Sequence, residues 1–173
     1  MVTETMWEGR FLRALRDGQW EYAARARDIT AAVILAITDA DEVILVEQYR
    51  VPLGCRTIEM PAGLVGDEDP GEALEDAAAR ELEEETGYRA ARIERLGQFA
   101  SSPGMTSETF TFVRAHGLTR VGDGGGHEGE DITVHLVPRA DVAAFVAARR
   151  RDGWAVDAKM LLLLAGSVLP SGG

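Results

Sequence analysis

The stretch GDEDPGEALEDAAARELEEETGY, residues 66–88, constrains the fold more than any other part of this chain. Leu74, Ala78 and Leu82 recur every fourth residue, which at about 100° per residue places them in one stripe along a helix. Such a stripe has to be covered, so the segment predicts a helix docked on an apolar surface, running from Pro70 or Glu72 to Thr86, with Gly87 closing it. Glu81 and Glu85 sit immediately beside the stripe, and Glu84 follows Glu81 by one turn, so three carboxylates crowd one edge of the helix close to the core. Glu83 faces elsewhere. Arg80 precedes Glu84 by four residues and can pair with it. Most acid-rich helices are solvated faces laced with salt bridges, and composition alone assigns this one the same fate.

The apolar surface for that helix comes from β-branched runs. TAAVILAI (Thr30 to Ile37) and EVILVEQYR (Glu42 to Arg50) read as adjacent core strands. A short strand near Thr57 to Met60 leads through Pro61-Ala62-Gly63 into a long loop ahead of the helix. Arg92 to Ala100 and Glu108 to Ala115 are further strands, the second alternating through Phe110 and Phe112. Gly122 to Asp131 has the composition of a mobile loop, followed by a strand in ITVHLVP. Arg139 to Arg150 and Asp157 to Val168 are helical in pattern. At the N-terminus, Asp17-Gly18 marks a hairpin that carries Trp7 and Trp20. This order predicts an α/β (α+β) fold in which a mixed β-sheet is sandwiched between helices. The domain plan is an N-terminal β-ribbon at 1–28 and a main domain at 29–170.

Charge narrows the function. A net charge of −11 over 173 residues argues against a nucleic-acid or anionic-membrane binder, since both require basic patches. An acidic protein that handles phosphates needs a metal ion as intermediary. Cys55 is the single cysteine and cannot form an internal disulfide, and MVTETMWEGR lacks a signal-peptide pattern. The longest apolar run, Met160 to Ala165, is far short of the roughly 20 residues that span a bilayer. A cytoplasmic location is the expectation.

Spacing overrides the bland reading of the acidic helix. Gly66, five residues, Glu72, seven residues, Arg80-Glu81-Leu82, one residue, Glu84-Glu85, one residue, Gly87-Tyr88 resembles the Nudix box, G-x5-E-x7-R-E-U-x-E-E-x-G-U, at every fixed position, with Tyr88 bulky rather than aliphatic at the last. Seven fixed matches arise by chance in roughly one chain in a million at average residue usage. On that ground the chain is identified as a member of the Nudix hydrolase family. The resemblance implies a Nudix fold and Mg²⁺ as cofactor, with Mn²⁺ as a substitute. Glu81 and Glu85 are then primary metal ligands, Glu84 a further ligand or metal-water contact, Arg80 their electrostatic support and Glu72 a brace. Mg²⁺ suits such a cluster because it prefers carboxylate and water oxygens and bridges to substrate phosphates. Two glycines compete for the start of the motif. Gly66 meets the spacing, whereas Gly63 ends a Pro-Ala-Gly sequence like the one that opens the box in ADP-ribose-cleaving relatives, with a metal-binding carbonyl placed at Ala62.

The wider pattern, ILVEQYRVPLGCRTIEMPAGL before the box, SSPGMTSE after it and DGWAVDAKMLLLL near the end, is similar to that of ADP-ribose and ADP-sugar pyrophosphatases. The resemblance implies hydrolysis of ADP-ribose or a related ADP-sugar to AMP and a sugar phosphate. It also implies a homodimer in which the N-terminal ribbon is exchanged, with Trp7 and Trp20 stacking the base. Arg25 and Arg50 would bind the diphosphate or the base region, and Ser102, Gly104 and Met105 would line the sugar side. A general base is expected on the loop before the last sheet strand, where Glu128 and Glu130 both qualify. His127 reads as solvated, and His116 and His135 as structural. Two other readings stand: hydrolysis of another nucleoside diphosphate derivative, such as GDP-mannose or NADH, and a Nudix-fold sensor that binds nucleotide without cleaving it.

Overall fold

The computed structural model describes all residues except 1, 28, 67–68, 70, 128–129 and 169–173, and only the backbone of 166–168. The N-terminal segment forms a three-stranded antiparallel ribbon, β1 (Glu4–Glu8), β2 (Leu12–Asp17) and β3 (Trp20–Arg25), rather than a lone hairpin. Gly18, at φ +61°, makes the turn that brings Asp17 opposite Trp20. The ribbon is moored to the body through Ala23, whose N–H donates to the Met105 carbonyl and whose carbonyl accepts from Ser107 N–H.

The two β-branched runs are strands β4 (Thr30–Ala36) and β5 (Glu42–Arg50), yet they belong to different sheets, with an antiparallel Ile37–Val43 bridge beside their connecting turn. The chain then forms β6 (Cys55–Glu59), β7 (Ala62–Val65), α1 (Leu74–Thr86), β8 (Tyr88–Arg89), β9 (Arg92–Ala100), β10 (Thr109–His116), β11 (Thr119–Arg120), β12 (Thr133–Pro138), α2 (Val142–Arg151), β13 (Ala155–Val156) and α3 (Leu161–Val168). One four-stranded sheet has the order β7-β4-β10-β9, with β4 and β10 parallel. The other has the order β12-β5-β6-β13, with β6 and β13 parallel, and β8 and β11 make a small ladder of their own. The mixed α+β fold is as expected, divided into two main sheets.

Both faces of β4 are covered, which is why its sequence is uninterruptedly apolar rather than alternating. Ala32, Ile34 and Ala36 face α1 and pack with Leu74, Ala78 and Leu82 of the predicted stripe. The intervening Val33 looks the other way, into a cluster with Leu45, Ile58, Met60, Phe110, Phe112 and Met160. Strand β5 divides likewise, with Ile44 toward the helix cluster and Val43 and Leu45 toward the other.

Several elements differ from the sequence expectation. Ala62–Val65 is a strand, not the start of a loop, and pairs antiparallel with β4 through Ala62–Val33 and Ala32–Gly63. The helix begins at Leu74, later than Glu72, because Asp69 diverts the chain into a turn: its carboxylate takes the Gly71 N–H, its carbonyl takes the Glu72 N–H, and Ala73 remains extended. The proposed start at Pro70 lies outside the described residues. Residues 139–141 and 158–160 are single 3₁₀ turns leading into α2 and α3. Leu82, fully buried against the sheet, is the test of the docking: Leu82→Ala should lower unfolding free energy by about 2–5 kcal/mol in urea titrations.

Candidate active site

The helix stripe that docks α1 also decides which carboxylates are covered. Glu85, one position round from Leu82, is only 7% exposed, and one of its oxygens accepts the Ala62 N–H at 3.1 Å. Burial pushes its pKa up to about 8; the Ala62 amide opposes this, while the neighbouring charges of Glu81, Glu130 and Glu59 add to it. Glu81 is likewise raised by burial, against the pull of Arg80 and with a push from Glu84. Gly63 lies directly against the Glu81 side chain, leaving no room for a Cβ, so its lack of a side chain is what lets Glu81 sit beside the strand. Gly66, at φ +82°, instead turns the chain out of β7. The two glycines thus have separate roles.

Arg80 organises this edge. Its Nε and Nη2 reach the two Glu72 oxygens at 3.1 and 3.2 Å, while Nη1 reaches Glu81 at 3.2 Å and Glu84 at 3.0 Å. The guanidinium is held charged, chiefly by the Glu72 hydrogen bonds. Glu83 points away and pairs with Arg89 on the surface, as its helical phase requires.

Glu81 and Glu85 form one wall of a cleft of about 690 Å³. Arg80, Ala62, Gly63 and Glu130 line the same wall, and Arg25, Arg50, Glu59, Glu108, Asp157 and Lys159 are found elsewhere around it. Arg50 is bidentate to Glu59, at 2.7 and 2.8 Å, and Lys159 pairs with Asp157. Burial would raise the Glu59 pKa, but the hydrogen bonds from Arg50 and Thr57 outweigh it and hold the carboxylate below its ordinary range. Arg25 is paired with Glu108. Sequence reasoning missed Glu59, Asp157 and Lys159. Glu59 carried a signal, an acidic residue between Ile58 and Met60 in the segment that leads into Pro61-Ala62-Gly63, whereas Lys159 carried none, since its place follows from the 3₁₀ turn after β13.

The loop after β11 closes the other end. Gly125 N–H donates to the Glu85 carbonyl at 2.9 Å and Gly126 N–H to the Glu84 carbonyl at 3.0 Å, so residues 122–127 are clasped to the end of α1 instead of being free as their composition suggested. Gly124, at φ +69°, lies so close to the Thr86 backbone that a Cβ has no space there. His127 is placed by this docking: its Nε2 lies 3.0 Å from Glu84, so it is not simply solvated, and its N–H donates to the Glu130 carboxylate at 2.9 Å. Glu128 lies outside the described residues. His116 and His135 hydrogen-bond Glu94 and Glu47, consistent with structural roles.

The remaining predicted residues fall elsewhere. Trp7 folds over Gly9 on the ribbon, 60% exposed, and does not line the cleft. Trp20 and Gly104 line a separate depression of about 460 Å³ with Asp17, Tyr22, Pro103, Thr106 and Ser107. The Ser102 carbonyl closes the turn by accepting the Met105 and Thr106 N–H groups, and the Met105 side chain is exposed. One chain therefore collects the acidic edge and the cations but leaves both tryptophans outside: Trp7 lies on the outer ribbon strand β1 and Trp20 beside the β2–β3 turn, whereas Arg25 ends β3 against Glu108.

Comparison with known proteins agrees with this geometry. The profile of the NUDIX domain matches residues 28–163. The chain belongs to the Nudix family. It is 34% identical to an ADP-ribose pyrophosphatase of Escherichia coli K12 over an alignment of 176 positions, covering 88% of this chain and 80% of the relative. It is 36% identical over 141 residues to a methanol dehydrogenase activator of Bacillus methanolicus, covering 78% and 74%. A crystal structure of an ADP compounds hydrolase superimposes with a TM-score of 0.69 at 25% identity, over 97% of this chain and 92% of that one. The protein is a Nudix hydrolase similar to the ADP-ribose pyrophosphatases.

The donor set of this Nudix chain fits a hard divalent cation. Glu85 and Glu81 are covered carboxylates that repel each other and Glu130, an arrangement that a positive ion relieves. Among the described residues, no three His, Cys, Asp or Glu side chains converge into an enclosing cage. Mg²⁺ does not need one, since it keeps several waters and takes one or two carboxylates together with substrate phosphates.

The raised Glu85 pKa has a consequence for stability. With the folded value above the unfolded one, the native state holds the extra proton between about pH 4.5 and pH 8, so metal-free protein loses stability as pH rises through that window. In EDTA, the melting temperature should fall from pH 5 to pH 8 more steeply for the native chain than for Glu85→Gln, and Mg²⁺ should raise it at pH 8 in the native chain only. Parallel melting curves for the two proteins would contradict the assignment.

Proposed function

We propose that this Nudix hydrolase is a divalent-metal-dependent pyrophosphatase that cleaves ADP-ribose, or a related ADP-sugar, to AMP and a sugar phosphate. The observation that carries the reading is the covered, mutually repelling pair Glu81 and Glu85 in a cleft that also contains Arg50 and Lys159. An acidic edge and nearby cations suit a diphosphate bridged through metal, and the names of the similar proteins point to ADP-ribose as the form.

In this reading Glu81, Glu85 and the Ala62 carbonyl hold Mg²⁺ or Mn²⁺, with Glu84 as a further ligand or a contact to a metal-held water. A cation bound there neutralises phosphate charge and polarises the phosphoryl group. Arg80 keeps Glu81 and Glu84 from collapsing away from one another, and Glu72 fixes Arg80. Arg50, Lys159 and Arg25 bind the diphosphate by releasing their carboxylate partners. Glu130 receives the proton as water attacks one phosphorus: a new P–O bond forms, the bond to the bridging oxygen breaks, and the bridging oxygen leaves with its electron pair on the other phosphate. Trp20, which lines the depression with Gly104, stacks the adenine in this reading, with Trp7 contributed from a second copy. Strand β1 is exposed along its whole length and displays Met6 and Trp7, while Phe11 and Leu12 are exposed nearby, which supports a homodimer through the ribbon.

A panel of nucleoside diphosphate sugars assayed with Mg²⁺ and Mn²⁺, with products separated by chromatography, should give AMP and ribose 5-phosphate from ADP-ribose at the highest kcat/KM. Preference for a GDP-sugar or a dinucleotide would replace the substrate assignment and leave the chemistry. Glu85→Gln should cut kcat by about 10²-fold or more while the chain remains folded by circular dichroism. Lys159→Met should raise KM for ADP-ribose several-fold with a smaller change in kcat.

A further inference from the structure

An arginine, two carboxylates and a histidine form a network that does not line the cleft. Arg56 alternates with Thr57 along β6; Thr57 and Glu59 line the cleft, and Arg56 does not. There its Nε donates to Glu47 of β5, and its Nη1 donates to the Asp131 carboxylate at 2.6 Å. Glu47 is 7% exposed, and its second oxygen meets His135 Nε2 of β12 at 2.9 Å. A carboxylate this well covered is costly unless both oxygens are satisfied. Both are, one by Arg56 and one by His135, so the Arg56 guanidinium is fixed by three adjacent strands.

What this rigid group holds is the residue after Glu130. The segment with the proposed base is attached at its start by the Gly125 and Gly126 amides on the end of α1 and by the contact of His127 with Glu84. Among the described residues, the hydrogen bonds of Glu130 are local: its carboxylate accepts from His127 N–H and its own N–H donates to the His127 carbonyl. The β12–β5 ladder holds the chain from Thr133 onward, opposite Glu47, and the contact of Arg56 with Asp131 carries that hold two residues further, to the neighbour of Glu130.

We infer that Arg56 is a positioning residue for hydrolysis: by holding Asp131 against the β5–β6–β12 sheet, it fixes Glu130 at the cleft wall beside Glu81 and Glu85. The inference rests on the reading of Glu130 as the base. Asp131 is 72% exposed, and an exposed ion pair contributes little to folding. A displacement of about 1 Å at a catalytic group, in contrast, is costly to turnover. The pair should therefore matter to rate far more than to stability.

Asp131→Ala removes the group that Arg56 holds and leaves Arg56 paired with Glu47, so it spares the fold where Arg56→Met would strand a covered carboxylate. Expected is a kcat for ADP-ribose lowered about tenfold, with KM and melting temperature essentially unchanged. In a double-mutant cycle, Asp131→Ala should cost nothing further in a Glu130→Gln background. Native turnover in Asp131→Ala, or a tenfold loss that persists on top of Glu130→Gln, overturns the positioning role while Glu130 stands as base. Native turnover in Glu130→Gln overturns the base assignment and the inference with it.

Discussion

The structure depends on the burial of one face of α1 against β4 and β7. Leu74, Ala78 and Leu82 make the contact, and because a helix turns by about 100° per residue, the same contact forces Glu81 and Glu85 into the seam beside it. The apolar stripe thus stabilises the fold and at the same time holds two carboxylates where water cannot fully solvate them. Ala62 and Gly63 complete the seam from the strand side, one with an amide for Glu85 and the other with empty space for Glu81. Hydrophobic docking and carboxylate placement are one event in this chain, and neither can be altered alone.

Around that seam the molecule brings distant segments to a common wall. Arg50 and Glu59 come from the second sheet, Lys159 and Asp157 from the turn before α3, and Arg25 and Glu108 from the ribbon and the start of β10. The loop after β11 reaches the helix end by a run of glycines, where backbone donors replace side-chain contacts. Each of these side chains is held by a partner close to it, and the cleft is lined by the framework strands together with His127 and Glu130 of the loop after β11.

How much of this was legible in the sequence follows the range of the interactions. The helix, its stripe, the Arg80–Glu84 pair and the outward turn of Glu83 are all decided within two helical turns, and they read correctly. The separation of β4 and β5 into two sheets was not legible, because β4 takes a parallel partner from residues 109–116, far along the chain. Strand β7 was hidden by its shortness and by the proline before it. The tryptophans were legible as aromatic residues of a ribbon but not as residues outside the single-chain cleft, since their place depends on how the ribbon is moored at Ala23. The box was legible because its spacing is short-range, whereas the match to the Nudix domain extends over residues 28–163.

The cations of the cleft are all spoken for before any ligand arrives. Arg50 is satisfied by Glu59, Lys159 by Asp157 and Arg25 by Glu108. Entry of an anion is therefore an exchange of partners, not a simple capture. A ligand with one weak charge gains almost nothing by displacing a carboxylate, whereas one with two linked phosphates can displace several at once and recover the loss. On the proposed reading, a cleft so built favours a ligand that presents two linked phosphates together over one that presents a single charge.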